Sequence, residues 1–178
     1  KKPCRYALSF VMIVTKRLCI EALTTKDAAF ILNLLNQDSF ITNIGDRGVR
    51  CMADAVDYIK MGPQASYRKR GLGLWKVTLF NSHQAIGLAG LLQRDYLPAP
   101  DLGYALLPEF TGRGFAFEAN QAVLNWAREQ SYSEVLAICN PSNSASHGLL
   151  LKLGFVVDGK VVPPGETQPI NRYYLALK

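Results

Sequence analysis

The chain has 178 residues, of which 49% are hydrophobic and 19% are charged, and its formal net charge is +6. This composition predicts one soluble globular domain, because no apolar run reaches the about 20 residues that span a membrane. The mild basic excess suits an acidic ligand but is too small to predict stable nucleic-acid binding. Four cysteines are scattered without a metal or disulfide spacing, so we predict no metal and a reduced, cytoplasmic setting.

Residues 1–11 are interpreted as an N-terminal extension that is not part of the core. The short apolar stretch Tyr6 to Val14 lacks the small-residue cleavage site of a signal peptide. Met12-Ile13-Val14 leads directly into a strand, and no repeat or linker divides the chain after it. We therefore predict a single domain over residues 12–178.

The spacing of apolar residues predicts the elements in chain order. Alternation or short apolar runs predict strands over residues 16–23, 72–80, 84–94, 102–107, 133–139, 155–162 and 171–177. Helical spacing predicts helices over residues 25–35, 49–61, 115–130 and 143–153. Gly62-Pro63 is expected to stop the second helix. Asn36 to Gly48 and the basic run Tyr67 to Arg70 are expected to be loops, with a nucleic-acid contact as the alternative for the basic run. The order is β-α-α-β-β-β-α-β-α-β-β.

A turn with two glycines lies between the strand that ends at Leu107 and the next helix. Pro108 ends the strand because proline has no N–H for a sheet ladder. Gly112 and Gly114 allow a sharp bend, and the first turn of a helix carries N–H groups without internal partners. With the fixed charge of Arg113, this arrangement can hold a phosphate or diphosphate. Two glycines are equally typical of a turn that binds nothing.

Two segments resemble motifs of the GNAT-type N-acetyltransferases, and of the subgroup that acetylates N-terminal alanines of ribosomal proteins. Leu107 to Ala119 resembles the pyrophosphate loop of the family, usually Gln/Arg-x-x-Gly-x-Gly/Ala. Asn140 to Phe155 resembles the Asn-x-x-Ser…Lys-x-Gly-Phe segment of the subgroup. The resemblance covers residues 15–178. It implies an α+β, three-layer fold with a mixed, mostly antiparallel central sheet of about seven strands flanked by about four helices.

The resemblance further implies acetyl-CoA, or CoA, as the co-substrate. The backbone N–H groups from Gly112 to Ala116 would bind the pyrophosphate, and the pantetheine arm would run beside β-strand residues as an added strand. The implied cofactor-binding residues are Leu106, Leu107, Thr111, Gly112, Arg113, Gly114, Phe115, Ala116, Asn140, Asn143 and Ser146. Both asparagines are also explained as helix caps.

Some positions depart from the family pattern or have a second interpretation. Thr111 stands where glutamine or arginine is usual. Leu150 stands where many relatives place a tyrosine that protonates the leaving thiolate, so that acid is absent. His147 is interpreted as a surface residue, and Glu118 is expected to be structural or to order the loop.

The acceptor is predicted from its chemistry, because no strong base signature is present. An α-amine has a pKa of about 8 and a lysine amine about 10.4, so deprotonation at pH 7 costs about 1.4 against about 4.6 kcal/mol. A weak base therefore favours a protein or peptide N-terminus. Asp95 and Asp101 are the candidate catalytic residues, with turn carboxylates as the alternative.

Two other functions stay open at this point. The first is the same transfer to a small amine, such as an amino acid, a polyamine or an aminoglycoside. The second is a non-catalytic CoA-binding regulatory domain, since a fold does not fix a function. The chain is expected to be a monomer or a homodimer that binds no membrane.

Overall fold

The computed structural model describes residues 12–178, and the interpretation of residues 1–11 lies outside the described residues. Eight strands form one sheet. The strands are β1 Met12–Val14, β2 Leu18–Glu21, β3 Leu74–Leu79, β4 Ala85–Leu92, β5 Asp101–Leu106, β6 Glu134–Cys139, β7 Val156–Val161 and β8 Ile170–Ala176.

The strand order across the sheet is β1-β2-β3-β4-β5-β6-β8-β7. Neighbouring strands are antiparallel except β5 and β6, which are parallel. This confirms the expected mixed, mostly antiparallel sheet, with β1 as one strand more than the seven predicted.

The described residues contain six α-helices and three shorter helical turns. The helices are α1 Ala28–Leu35, α2 Asp38–Asn43, α3 Met52–Ile59, α4 Ala65–Arg70, α5 Phe115–Glu129 and α6 Ser144–Lys152. The turns are two 3₁₀ segments, Thr25–Asp27 and Pro108–Phe110, and one π-helical segment, Lys60–Gln64. None of these helices is long and apolar enough to cross a membrane.

Helices cover both faces of the sheet. On β3, the ring of Trp75 packs edge-on against Trp126 of α5, with ring centroids 4.7 Å apart. The next side chain, Lys76, points to the other face, because successive strand residues alternate. There its Nζ lies 2.8 Å from a carboxylate oxygen of Asp27, just before α1. Helix α5 and the α1–α4 region therefore lie on opposite faces.

The predicted stop at Gly62-Pro63 is wrong. The chain continues from α3 through the π-helical segment into α4, with Pro63 buried inside it. Proline removes one hydrogen bond of the α-helical ladder, and the regular α-helical spacing is interrupted by the π-helical segment at the same place. The helix ends instead at Gly71, whose φ of +70° closes a left-handed cap with its N–H on the Tyr67 carbonyl at 3.0 Å.

Two predicted loops are helical instead. Residues 38–43 form α2, which Phe40 anchors in the core with an exposure of 7%. The basic run is the last turn of α4. Its tyrosine points inward: the Tyr67 hydroxyl donates to the Leu74 carbonyl and accepts from the Leu23 N–H. Tertiary packing, which local spacing does not reveal, decides both segments.

Candidate active site

A cleft opens between β5 and β6. The two parallel strands share one register pair, Asp101 with Leu136, at their N-terminal ends. Three residues further along each strand, Tyr104 and Cys139 stand at the same level but do not pair. Both strands run toward the edge that carries the glycine turn and the start of α6. The sheet therefore offers unpaired strand edges for an extended ligand there.

The glycine turn carries free backbone donors. Gly112 and Gly114 have φ values of +70° and +79°, and Gly114 is the N-cap of α5. Within residues 12–178, no protein group accepts a hydrogen bond from the N–H groups of residues 112–116. These donors belong to a positive helix end, so the turn fits a diphosphate. Thr111 does not add a side-chain donor to them, since its hydroxyl donates to the Pro108 carbonyl at 2.7 Å.

Two arginines bracket one aromatic ring beside this turn. The guanidinium carbon of Arg17 lies 4.3 Å from the ring centroid of Phe115, and that of Arg113 lies 5.1 Å from it. Arg17 comes from the β1–β2 connection and was not among the sequence-predicted site residues. Its Nη2 approaches to 3.3 Å of the position that a Cβ on Gly114 would occupy. The turn thus gathers two fixed positive charges.

Glu118 connects Arg17 to α5. Its two oxygens accept from the Arg17 Nε at 2.6 Å, the Arg17 N–H at 2.9 Å and the Thr15 hydroxyl at 2.7 Å. Arg17 in turn donates from Nη1 to the Arg113 carbonyl at 3.0 Å. Burial alone would raise the pKa of the Glu118 carboxyl, but the bonds from Thr15 and Arg17 outweigh it and lower that pKa. The observed contacts agree with the expectation that Glu118 orders the loop.

The side-chain oxygens of the two asparagines before α6 accept hydrogen bonds from nearby residues of the chain. Asn143 is the N-cap, and its side-chain oxygen accepts from the Ser146 N–H at 3.1 Å. The Asn140 side-chain oxygen accepts from the N–H and hydroxyl of Ser142 at 3.1 and 2.9 Å. Both side-chain oxygens therefore bind protein donors, which agrees with the interpretation of the two asparagines as capping residues. In the described part of the chain their amide nitrogens have no protein acceptor.

A cluster of polar groups spans the cleft. The Tyr104 hydroxyl of β5 lies 2.5 Å from the Ser146 hydroxyl of α6, and burial raises the pKa of Tyr104 to about 12. His147 Nδ1 lies 2.7 Å from the hydroxyl of Tyr173, which is fully buried. His147 is therefore half-buried and paired, not a simple surface residue. Burial also raises the pKa of the neighbouring Cys139 thiol.

The two candidate carboxylates lie toward the other end of β5. Asp101 is 1% exposed, and both its oxygens accept from the Arg94 Nε at 3.1 Å. Burial raises the pKa of the Asp101 carboxyl, and the Arg94 guanidinium opposes that rise. Asp95 is exposed in the loop that follows β4. The structure therefore places both aspartates at the end of β5 opposite the glycine turn, whereas Tyr104 of β5 contacts Ser146 at the start of α6.

The sequence comparison identifies the family. The model of the acetyltransferase (GNAT) domain matches residues 17–156, so the chain belongs to the GNAT acetyltransferases. The uncharacterized N-acetyltransferase YoaA of Bacillus subtilis is 28% identical over 153 residues, covering 84% of this chain and 85% of YoaA. The chain is thus an N-acetyltransferase by family, as the motifs predicted.

Solved structures share the fold. An acetyltransferase from Agrobacterium tumefaciens superposes with a TM-score of 0.79 at 21% identity, covering 98% of both chains. The ribosomal-protein-S5-alanine acetyltransferase from Vibrio fischeri gives 0.74 at 18% identity, over 93% of this chain and 96% of that one. Other similar folds are MccE, solved with acetyl-CoA and AMP, and a spermidine N-acetyltransferase chimera. At these identities the likeness shows the fold.

Proposed function

We propose that this protein transfers an acetyl group from acetyl-CoA to a primary amine, the α-amine of a protein or peptide N-terminus. The observation that carries the proposal is the set of unpaired N–H groups over residues 112–116 at a helix start. A diphosphate satisfies such donors without any further side chain. Arg17 and Arg113 add positive charge on either side of Phe115.

The cofactor would lie along the cleft between β5 and β6. Backbone groups of Leu106 and Leu107 would pair with the pantetheine arm as a strand does. The start of α6 would border the far end of that arm, through the free amide nitrogens of Asn140 and Asn143 and the hydroxyl of Ser146. MccE, which shares the fold, is known as a complex with acetyl-CoA and AMP.

When bound, acetyl-CoA supplies the acetyl group as a thioester, from which the amine nitrogen displaces the thiolate. The Tyr104–Ser146 hydroxyl pair is the donor set of this chain near that position. A tyrosine with a pKa of about 12 holds its proton more tightly than a thiol with a pKa of about 8.5. The pair therefore stabilises developing negative charge by donating a hydrogen bond rather than by losing its proton.

Proton removal from the amine requires a mild base. Asp95 is exposed and accepts no hydrogen bond from the described residues, so it is free to accept a proton directly or through water. Asp101 would act differently, since both its oxygens bind Arg94. We assign Asp101 a positioning role through Arg94 and leave direct proton transfer to Asp95 or water.

A small amine is the second candidate acceptor. Spermidine N-acetyltransferase and MccE, whose complex includes AMP, share this fold, and the ribosomal-protein enzymes share it equally well. The choice between a small amine and a protein N-terminus therefore depends on the residues that contact the acceptor, and not on the shared fold.

A panel assay tests the proposal. Alanine- and serine-starting peptides, free amino acids, spermidine and an aminoglycoside are offered with acetyl-CoA, and CoA release is measured. Turnover on peptides supports the proposed function, and turnover on small amines alone supports the second candidate. Binding of acetyl-CoA without turnover on any amine would contradict both and indicate a regulatory domain.

A further inference from the structure

Two grooves adjoin on the face of the sheet that carries the α1–α4 region. One has a volume of about 550 Å³ and lies between Arg70, Arg94, Tyr96 and Pro164. The other, of about 420 Å³, lies between the π-helical segment, α4 and the ends of β3 and β4. Arg70 and Gln93 line both grooves. They therefore form one continuous depression, which we call the α4 groove.

The α4 groove lies directly over β5. A Cβ on Gly103 would stand 3.1 Å from Leu92 Cδ1 and 3.2 Å from Leu74 Cδ2. Both of these leucines line the groove. Tyr104, the next residue of β5, points to the opposite face and toward Ser146. Because Gly103 has no side chain, Leu74 and Leu92 of the groove pack directly on the backbone of β5, one residue before Tyr104.

The charges in the α4 groove have both signs. Arg70 and Lys69 are exposed, and neither forms an ion pair with any residue in 12–178. Arg94 is already held by Asp101. Asp95 lines the same groove as Arg70. The groove thus offers one carboxylate that can attract an amine and, beside it, two free cations that can attract an anion.

We propose, on the basis of the function proposed above, that the α4 groove is the acceptor site and that it selects an amine whose own chain carries carboxylates. The acceptor class is an acidic peptide N-terminus. Asp95 faces the α-amine, while Arg70 and Lys69 bind acidic side chains that follow it in the peptide. Arginine suits this role because its planar fork pairs with a carboxylate through two hydrogen bonds.

The same charges act against other acceptors. A polyamine places further cations next to Arg70 and Lys69, which repel it, and like-charge contacts are the usual device by which interfaces reject a wrong partner. A peptide with lysines after its α-amine meets the same repulsion. A free amino acid offers one carboxylate but no extended chain to follow the groove beyond Arg70.

The test compares three hexapeptide amides that begin with alanine and continue with two glutamates, two glutamines or two lysines. The kcat/KM for the acidic peptide is expected to exceed that of the glutamine peptide about tenfold, and the lysine peptide and spermidine are expected to react least. Free glutamate is included as a further substrate, because its kcat/KM shows whether a small acidic amine reacts as well as an acidic peptide. Raising the salt concentration should narrow the acidic preference, because exposed charges are screened.

Arg70→Gln is the decisive variant, and Arg68→Gln is its matched control. Arg68 lies on the same helix and carries the same charge, but it lines neither groove. Arg70→Gln should lower the ratio of acidic to glutamine peptide turnover about threefold to fivefold, whereas Arg68→Gln should change it less than about 1.5-fold. Calorimetric titration with the acidic peptide, in the presence of CoA, should show the same contrast in affinity without any reaction.

The outcomes separate this inference from the function on which it rests. Turnover on peptides with no acidic preference, or equal effects of the two arginine variants, would overturn the acceptor class and leave the acetyltransferase proposal intact. A preference for free glutamate over every peptide would also overturn it. Absence of turnover on any amine, with intact acetyl-CoA binding, would instead contradict the proposed function.

Discussion

The glycine turn and the α4 groove offer different kinds of binding group: backbone N–H groups in the first and side chains in the second. The glycine turn uses backbone N–H groups from five consecutive residues, 112–116, and they need no side chain to bind an anion. The α4 groove uses side chains from separate segments, among them Arg70, Asp95 and Pro164. A donor shared by a whole family can be bound by backbone geometry, which tolerates sequence change. An acceptor that differs between members is selected by side chains, which change freely.

The largest effect should follow from damage to the glycine turn. Gly114→Val places a β-branched side chain at a φ of +79° and against Arg17 Nη2. The loop is expected to relax this strain by turning its N–H groups away from the anion, and the loss of two charged hydrogen bonds of about 1.5 kcal/mol each predicts an about 100-fold weaker affinity for acetyl-CoA. Isothermal titration calorimetry measures it.

Gly159→Val is the control for this variant. Gly159 also has a positive φ, +87°, and no atom lies within 4 Å of its added Cβ. Gly159 lies in β7 and not in the glycine turn. The Gly159→Val substitution should therefore lower the melting temperature but leave the affinity for acetyl-CoA unchanged. Equal losses of affinity in both variants would show that strain alone, and not the anion site, is responsible.

A smaller effect is expected from the hydroxyl pair of Tyr104 and Ser146. Tyr104→Phe removes the partner of Ser146 and should lower kcat about tenfold, the equivalent of a hydrogen bond worth about 1.4 kcal/mol. Because the pKa of Tyr104 is raised to about 12, its proton is present at every pH below about 11 and kcat should not fall between pH 7 and 10 through this group. Stopped-flow rates across that range measure both.

Tyr132→Phe is the matched control for the hydroxyl. Tyr132 is partly buried against Trp126, with ring centroids 6.2 Å apart, on the far end of α5. Removal of the Tyr132 hydroxyl in this variant should leave kcat unchanged. If Tyr104→Phe keeps the wild-type kcat as well, the hydroxyl pair has no part in the reaction.

The smallest effect should come from the side-chain support of the turn. Glu118→Gln keeps the shape of the side chain but removes the charge that holds Arg17, so the affinity for acetyl-CoA should fall twofold to fivefold. Glu109→Gln, in the same loop and exposed, should have no effect. An unchanged affinity in Glu118→Gln would restrict the anion site to the backbone.

The same carboxylate predicts a pH dependence of stability. The pKa of Glu118 is lowered in the folded protein, so its stabilising contribution is complete above the ordinary pKa of about 4.3 and is lost as the pH falls through the lowered value. The difference in unfolding free energy between wild type and Glu118→Gln should therefore be present at pH 6 and shrink as the pH falls below the ordinary pKa of about 4.3. Urea unfolding over this pH range measures it.

The features that the sequence predicted are those that depend on neighbours in the chain. The bounds of β5, the glycine turn and α5 follow from Pro108, two glycines and one apolar stripe, all within a few residues. The features that the sequence missed depend on distant partners. Arg17 and Glu118 are 101 residues apart, and Tyr104 and Ser146 are 42 apart. Neither pair has a spacing that could indicate the contact.

Helices α2 and α4 also depend on distant partners that the local sequence does not indicate. Their local signals, a polar stretch and Gly62-Pro63, favour loops, but Phe40, Pro63 and Tyr67 point into the interior and packing overrides the local preference. The catalytic assignments of Asp95 and Asp101 stay predictions, because a carboxylate near a strand end is placed by the fold and not by its sequence position.

The central claim is that the free amides after Thr111 bind the diphosphate of the donor. Backbone amide signals of Gly112 and Gly114 can be followed by NMR while the protein is titrated with CoA and, separately, with pantetheine, which lacks the diphosphate. We predict that CoA shifts both signals and slows their hydrogen exchange, whereas pantetheine leaves them unchanged. Binding of CoA with no change at these two glycines would contradict the account.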